Sequence, residues 1–274
     1  MAIQFDTHVH TSFSTDSETS PVEQLRQAIK FGLEGICFTD HMDYEFPASA
    51  LSHPVDGTPF CFDWEIYKEV IREIAEDTSL TVFTGVECGL QKANTVIEKN
   101  TTLSQDASLD YMIGSLHLVD GQDPYYPSFW QEKDASQCIQ SYFELIYENL
   151  QCFHGMDSLG HLDYIVRYAP SDFAYVPSMF REIIEAILEY LIQKDIALEI
   201  NTSGFKNGSQ YPNPHFDIVS WYYQKGGRLI TVGSDAHTPE YLAYHFEETA
   251  SMLKKAGLCQ YVIYQKHKPV FYDL

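Results

Sequence analysis

Short runs of apolar, largely β-branched residues alternate along this chain with longer segments of helical spacing. That alternation restricts it to βα units wound around a parallel sheet or barrel. Strands are expected at residues 3–7, 35–39, 80–85, 111–115, 157–160, 197–200 and 228–232, with an eighth candidate at 261–264. Ser20-Pro21 reads as a cap and first turn, with Leu25, Ala28, Ile29 and Leu33 on one side of the helix and an end between Gly32 and Gly35. Tyr67, Val70, Ile71 and Ile74 form a second stripe, Ile183, Ile187, Leu188 and Leu191 a third, and Pro239 is placed to start the last helix. A chain of 274 residues, 45% of them hydrophobic, buries one large core near the usual size of an α/β barrel, so residues 1–274 are expected to form one domain. Residues 44–63 and 120–130 read as long loops, a length common in lids and substrate walls.

A formal charge of −22 repels nucleic-acid backbone and anionic membrane, so neither is expected as a partner. The six cysteines are scattered with no C-x-x-C pair, which argues against a zinc ribbon or a disulfide framework and for reduced thiols in a cytoplasm. With no basic leader and no long apolar stretch, the expectation is a soluble intracellular protein. The sequence carries no expectation for oligomeric state.

The chemically suggestive residues fall where strand candidates end. In a parallel barrel the carboxyl ends of all strands meet on one face, so residues far apart in sequence share a site there. His8 and His10 are two apart on the first strand, so both rings point to one side, although alone they also read as two polar residues at a strand end. Asp16 follows in a Ser/Thr-rich loop where turn or cap duty competes with ligation. His41 follows the second strand, Glu87 the third, His117 the fourth and His161 the fifth. A buried Glu past an apolar run is costly unless paired or metal-bound, and a carboxylate bridges two cations. Asp235 and His237 repeat the spacing of two after the last strand of the series, where Gly233 allows close backbone approach. One ion needs three or four such donors, so nine suggest two or three ions. A nitrogen and oxygen set without thiolate suits Zn, Mn, Fe or Co. Paired ions activate water and neutralise a phosphoryl group, which is the chemistry of phosphoester hydrolysis.

The ordered motifs are D-T-H-V-H-T-S-F-S-T-D at 6–16, F-T-D-H at 38–41, G-V-E at 85–87, G-S-L-H at 114–117, G-H-L-D at 160–163, E-I-N-T-S-G at 199–204 and G-S-D-A-H at 233–237. In this order and combination the chain resembles the polymerase and histidinol phosphatase (PHP) group of metal-dependent phosphoesterases, and within it most nearly the histidinol-phosphate phosphatases. The resemblance implies a distorted (β/α)7 barrel with a trinuclear site. It assigns one ion to His8, His10, Glu87 and Asp235, a second to Glu87, His117 and His161, and a third to Asp16, His41 and His237. A hydroxide bridging the first two ions would attack phosphorus, releasing L-histidinol from its phosphate in histidine biosynthesis.

Phosphate selectivity needs cations near the metals, and Arg167 and Lys206 stand beside motifs. The resembling phosphatases are expected to carry arginine at both places, so Lys206 departs from them by keeping charge without bidentate geometry. His53 in the Pro-rich loop, His215 beside a helix start and His245 within the last helix are left outside the site. Competing readings are another small phosphomonoester (a nucleotide or sugar phosphate), a non-catalytic barrel that binds a partner, and an amidohydrolase sharing the opening H-x-H.

Overall fold

A computed structural model describes residues 2–51 and 58–274; His53 lies outside the described residues. In chain order the elements are β1 (Phe5–Val9), α1 (Pro21–Phe31), β2 (Gly35–Phe38), β3 (His41–Met42), α2 (Trp64–Glu76), β4 (Thr81–Gly89), α3 (Asn94–Ser104) and β5 (Tyr111–Ser115). They continue with α4 (Ala135–Cys152), β6 (Ser158–Leu159), α5 (Arg181–Lys194), β7 (Ala197–Asn201), α6 (Phe216–Gln224), β8 (Ile230–Gly233), α7 (Phe246–Ala256), β9 (Gln260–Gln265) and β10 (Lys268–Asp273).

Seven strands run parallel in the order β1-β2-β4-β5-β6-β7-β8, and the short β3 pairs with the far end of β4. The first and last are joined where Asp235 N donates to His8 O at 2.8 Å and His10 N donates to Ala236 O at 3.0 Å. This is the expected (β/α)7 barrel. Its strands are buried on both faces, as a sheet wrapped by helices requires. Inside it, the Tyr111 hydroxyl bonds Ser158 Oγ at 2.5 Å and Thr231 Oγ1 at 3.0 Å, so the interior is packed rather than open.

Helix α1 forms as its sequence dictates. Ser20 and Glu23 make a reciprocal capping box, Pro21 fills the first turn and Gly32 ends the helix at a φ of 71°. Ile29 departs from expectation, being 53% exposed. The buried stripe is Pro21, Gln24, Leu25 and Ala28, which leaves Ile29 on its flank. Gln24 is buried because its amide donates to the carbonyls of both His10 and Ala236, at 3.0 Å each, across the closing seam.

Two further expectations are corrected. Pro239 opens only a 3₁₀ turn (Pro239–Tyr241), and the last helix starts at Phe246. Ala243 and His245 adopt positive φ, and the Ala243 N–H is held by Asp6, so the backbone between them leaves the helical path. His245 accordingly stands just before α7 instead of lying within it, and stacks on Phe205 with ring centroids 4.7 Å apart. The strand at 261–264 is real, but it belongs to an antiparallel β9–β10 hairpin outside the barrel sheet. The turn of that hairpin docks at the amino ends of β5 and β6, where His267 meets Asp157 and Lys266 meets Asp110. Among the described residues, no helix is long and apolar enough to cross a membrane.

Candidate metal centre

All nine expected donors meet at the carboxyl ends of the barrel strands. The strand β1 delivers His8 and its exit delivers His10, both fully buried, with their Nε2 atoms 3.0 Å apart. Glu87 lies within β4, two residues beyond the expected strand end, and stands at the centre. Its Oε1 is 2.9 Å from His161 Nε2 and 3.3 Å from His117 Nε2; its Oε2 is 3.3 Å from His8 Nε2, 3.5 Å from His10 Nε2 and 2.9 Å from His41 Nδ1. Asp235 Oδ1 lies 3.3 Å from His10 Nε2 and 3.4 Å from His237 Nδ1. Asp16 Oδ2 lies 3.1 Å from His237 Nε2 and 3.7 Å from His41 Nε2. His41 therefore faces two groups of donors, Glu87 with one nitrogen and Asp16 with the other. Gly233 makes the closure possible, since a β-carbon there would collide with His8 Cβ. Asp235, at a φ of 54°, turns the chain out of β8 so that it and His237 point inward.

This arrangement fits cations better than it fits hydrogen bonding within the protein. Glu87 Oε2 and His41 Nδ1 are both buried without a hydrogen bond among the described residues. The Nε2 atoms of His8 and His10 face each other at 3.0 Å, and with His10 neutral its lone pair is open to a cation at the same point. Among the described residues three donor triads are compact enough to hold an ion: His8, His10 and Glu87; His41, Glu87 and His117; and His10, His41 and His237. Divalent ions suit such a set.

A second layer aims the rings. Glu199, from β7, takes His8 Nδ1 at 2.5 Å and accepts the His161 N–H at 2.8 Å. Asp43 takes His117 Nδ1 at 3.0 Å. Ser14 Oγ sits 3.0 Å from His10 Nδ1 and itself donates to Asp40 at 2.7 Å, while Thr11 and Ser14 N–H groups donate to the same carboxylate. Each ring thus turns Nε2 toward the centre, the usual service of carboxylates behind metal-binding histidines. Sequence reasoning missed these three acids. Glu199 lay inside a quoted motif, and Asp43 and Asp40 flank His41 by two and by one, but only the strand pairing shows which ring each one meets.

Charge is organised around the carboxylates. Burial raises the carboxyls of Glu87 and Asp235, but the surrounding imidazoles hold both well below the usual range. Asp16 is pulled the same way by His237 and His41, weakened by solvent because its side chain is 42% exposed. Burial lowers His117, yet Asp43 and Glu87 carry it up to about 10. His10 goes the other way: burial and the neighbouring His237 and His41 hold it well below its ordinary value, so it is neutral.

A cavity of about 390 Å³ opens over the cluster, lined among others by Asp16, His41, Glu87, His117, His161, Asp235, His237 and Arg167. Phe46, Leu51 and Phe60 put part of the 44–63 loop on its wall. Arg167 Nη2 donates to Ser203 Oγ at 2.6 Å and Asn213 Oδ1 at 3.0 Å, and its Nε is buried without a partner among the described residues. Lys206 stands apart: its Nζ contacts the Asp235 carbonyl at 3.3 Å and lies 4.4 Å over the Tyr241 ring, and it is not among the cavity's lining residues. Burial lowers its ammonium pKa. His215 caps α6, accepting the Asp217 N–H at 3.1 Å.

Comparison with known proteins agrees with this geometry. The chain is 32% identical to a probable histidinol-phosphatase of Clostridium acetobutylicum, over 98% of this chain and 96% of the relative. It is 31% identical to the histidinol-phosphatase of Lactococcus lactis, over 93% and 91%. A crystal structure of the Lactococcus lactis histidinol phosphate phosphatase, complexed with zinc, L-histidinol and phosphate, superposes with a TM-score of 0.86 at 28% identity, covering 98% of this chain and 99% of that one. The family model of the PHP domain matches residues 6–203, and the chain belongs to that family.

Proposed function

We infer that this chain is a phosphatase that hydrolyses L-histidinol phosphate to L-histidinol and inorganic phosphate, a step of histidine biosynthesis. The observation that carries the reading is a nine-donor cluster at the floor of a cavity whose wall holds a fixed arginine, in a chain that aligns along its whole length with histidinol-phosphatases. We assign His8, His10, Glu87 and Asp235 to one divalent ion, Glu87, His117 and His161 to a second, and Asp16, His41 and His237 to a third, each Zn, Mn, Fe or Co. When bound, such ions supply Lewis acidity toward phosphoryl oxygens and a nucleophile at neutral pH.

The protein's own part is positioning. Arg167, anchored through Nη2 by Ser203 and Asn213, holds its positive charge on the cavity wall for the phosphate, and its guanidinium lies over the rings of Tyr164 and Tyr168 at 5.4 and 5.9 Å. Lys206 adds positive charge behind Asp235. Glu199, Asp43 and the Ser14–Asp40 pair keep the rings in one tautomer and orientation. The reading takes residues 1–274 as one barrel domain, supported by a core that runs from Ile3 to Tyr264. It also places the protein in the cytoplasm, supported by six unpaired thiols. Purified protein supplied with Mn, Zn, Fe or Co should release phosphate from L-histidinol phosphate with a higher kcat/KM than from nucleotide or sugar phosphates; release only from the latter overturns the substrate assignment.

A further inference from the structure

Five carboxylates line the cavity over the metal centre: Asp16, Asp43, Glu87, Asp123 and Asp235. Four of them lie within 3.3 Å of a histidine nitrogen. Asp123 does not: among the described residues no Lys, Arg or His side chain comes within ion-pair distance of it. Its Oδ1 accepts the Tyr125 N–H at 2.8 Å, which fixes the carboxylate on the 120–130 loop facing the cavity. Burial pushes its carboxyl up, with the Tyr125 N–H and His117 pulling against that.

The rings around it are arranged in a file. Tyr164 lies 4.8 Å from His161, Tyr168 5.1 Å from Tyr164, Tyr125 5.3 Å from Tyr168 and Tyr126 5.1 Å from Tyr125. The file leads from the metal centre toward the rim, with Arg167 over the Tyr164 and Tyr168 rings and Asp123 tied to it through the Tyr125 N–H, on the same cavity wall. A fixed carboxylate sharing a cavity wall with tyrosine rings suits an organic cation. The inner end, with metal ligands and a guanidinium, is a receptor for phosphate. The two poles are the two ends of an amino-alcohol phosphate.

We propose that Asp123, with the rings of Tyr125 and Tyr168, receives the ammonium group of the substrate, and so determines specificity for aminoalkyl phosphomonoesters. This rests on the phosphatase reading above and deepens it. Asp123 holds the cation; it is not the acid that protonates the leaving alcohol.

The test compares L-histidinol phosphate with its analogue lacking the amino group, in wild-type protein and in Asp123→Asn. In wild-type protein, removing the amine should raise KM about tenfold with kcat little changed. In Asp123→Asn the KM for L-histidinol phosphate should rise by about the same factor, while that for the analogue stays within about twofold. Equal KM for the two substrates in wild-type protein overturns the proposal, and so does an equal rise for both in the variant. A large fall of kcat on both substrates overturns it in favour of an acid role. If wild-type protein leaves L-histidinol phosphate intact, the assigned substrate fails. The proposal is then decided by 2-aminoethyl phosphate against ethyl phosphate in the same two proteins, with the same selective KM rise required.

Discussion

The two ends of the barrel use the same residue types for opposite purposes. At the amino end, Asp157 accepts the Met112 N–H and His267 Nδ1, each at 2.8 Å, and Asp110 accepts the Thr84 N–H at 3.0 Å and Lys266 Nζ at 3.1 Å. Those carboxylates each accept one donor from the barrel backbone and one from the hairpin turn, and they fasten the β9–β10 hairpin across the barrel floor. At the carboxyl end, Glu87 is surrounded by five histidine rings, yet its Oε2 has no hydrogen bond among the described residues. One carboxylate met by donors from strand and hairpin stabilises a fold; a buried carboxylate on which five imidazoles converge, with an oxygen still unbonded, is built for something added. In barrels of this kind the carboxyl face carries chemistry and the amino face carries stability.

Substitutions should separate the two ends, and the effects should fall in a definite order. Glu87→Gln removes the central charge while keeping shape, so kcat should drop on the order of a thousandfold or more, with metal content falling alongside. A variant with near-normal turnover would remove Glu87 from the centre. Next come the acids behind the rings: Glu199→Gln and Asp43→Asn should each lower metal affinity or activity by about 10–100-fold, read from activity against free metal concentration. Smallest is the amino end. His267→Gln should leave kcat/KM within about twofold and cost roughly 1 kcal/mol of stability at pH 6, discounted because the ring is 30% exposed.

That last variant also carries a pH signature. The Asp157 hydrogen bond raises His267 above its ordinary 6.5, and burial raises Asp157 as well, so both groups hold more protons in the folded state than in the unfolded one. Stability from the pair is therefore full below about pH 6.5 and is lost as pH rises through the folded value. The difference in unfolding free energy between wild type and His267→Gln should shrink from pH 6 to 8. A difference that grows with pH would contradict the pairing.

The carboxyl end was far more legible in the sequence than the amino end. Parallel strands buried on both faces read as apolar runs, and a ligand at the end of each stands out against them, as His117 does after β5 and His161 after β6. Strand limits were shifted because β1 and β4 run on into their ligands, which apolarity alone cannot register. Asp43 and Glu199 were silent because their role depends on which ring lies across the sheet. The hairpin was silent for a different reason. The strand β10 is mostly exposed, and its turn is Lys266-His267 at positive φ with no glycine or asparagine to announce it. Ile29 and Pro239 each obeyed a local rule that tertiary anchoring overrode, at Gln24 in one case and at Ala243 in the other.

The most direct test measures metal content and phosphate release on one sample, taken through chelation and stepwise reconstitution with Mn, Zn, Fe or Co. Activity on L-histidinol phosphate should vanish in the stripped protein and return as ions are restored, reaching its full value at about three equivalents per chain. Undiminished turnover in protein stripped of metal, or full occupancy without turnover, would contradict the assignment of the nine-donor cluster as the catalytic centre.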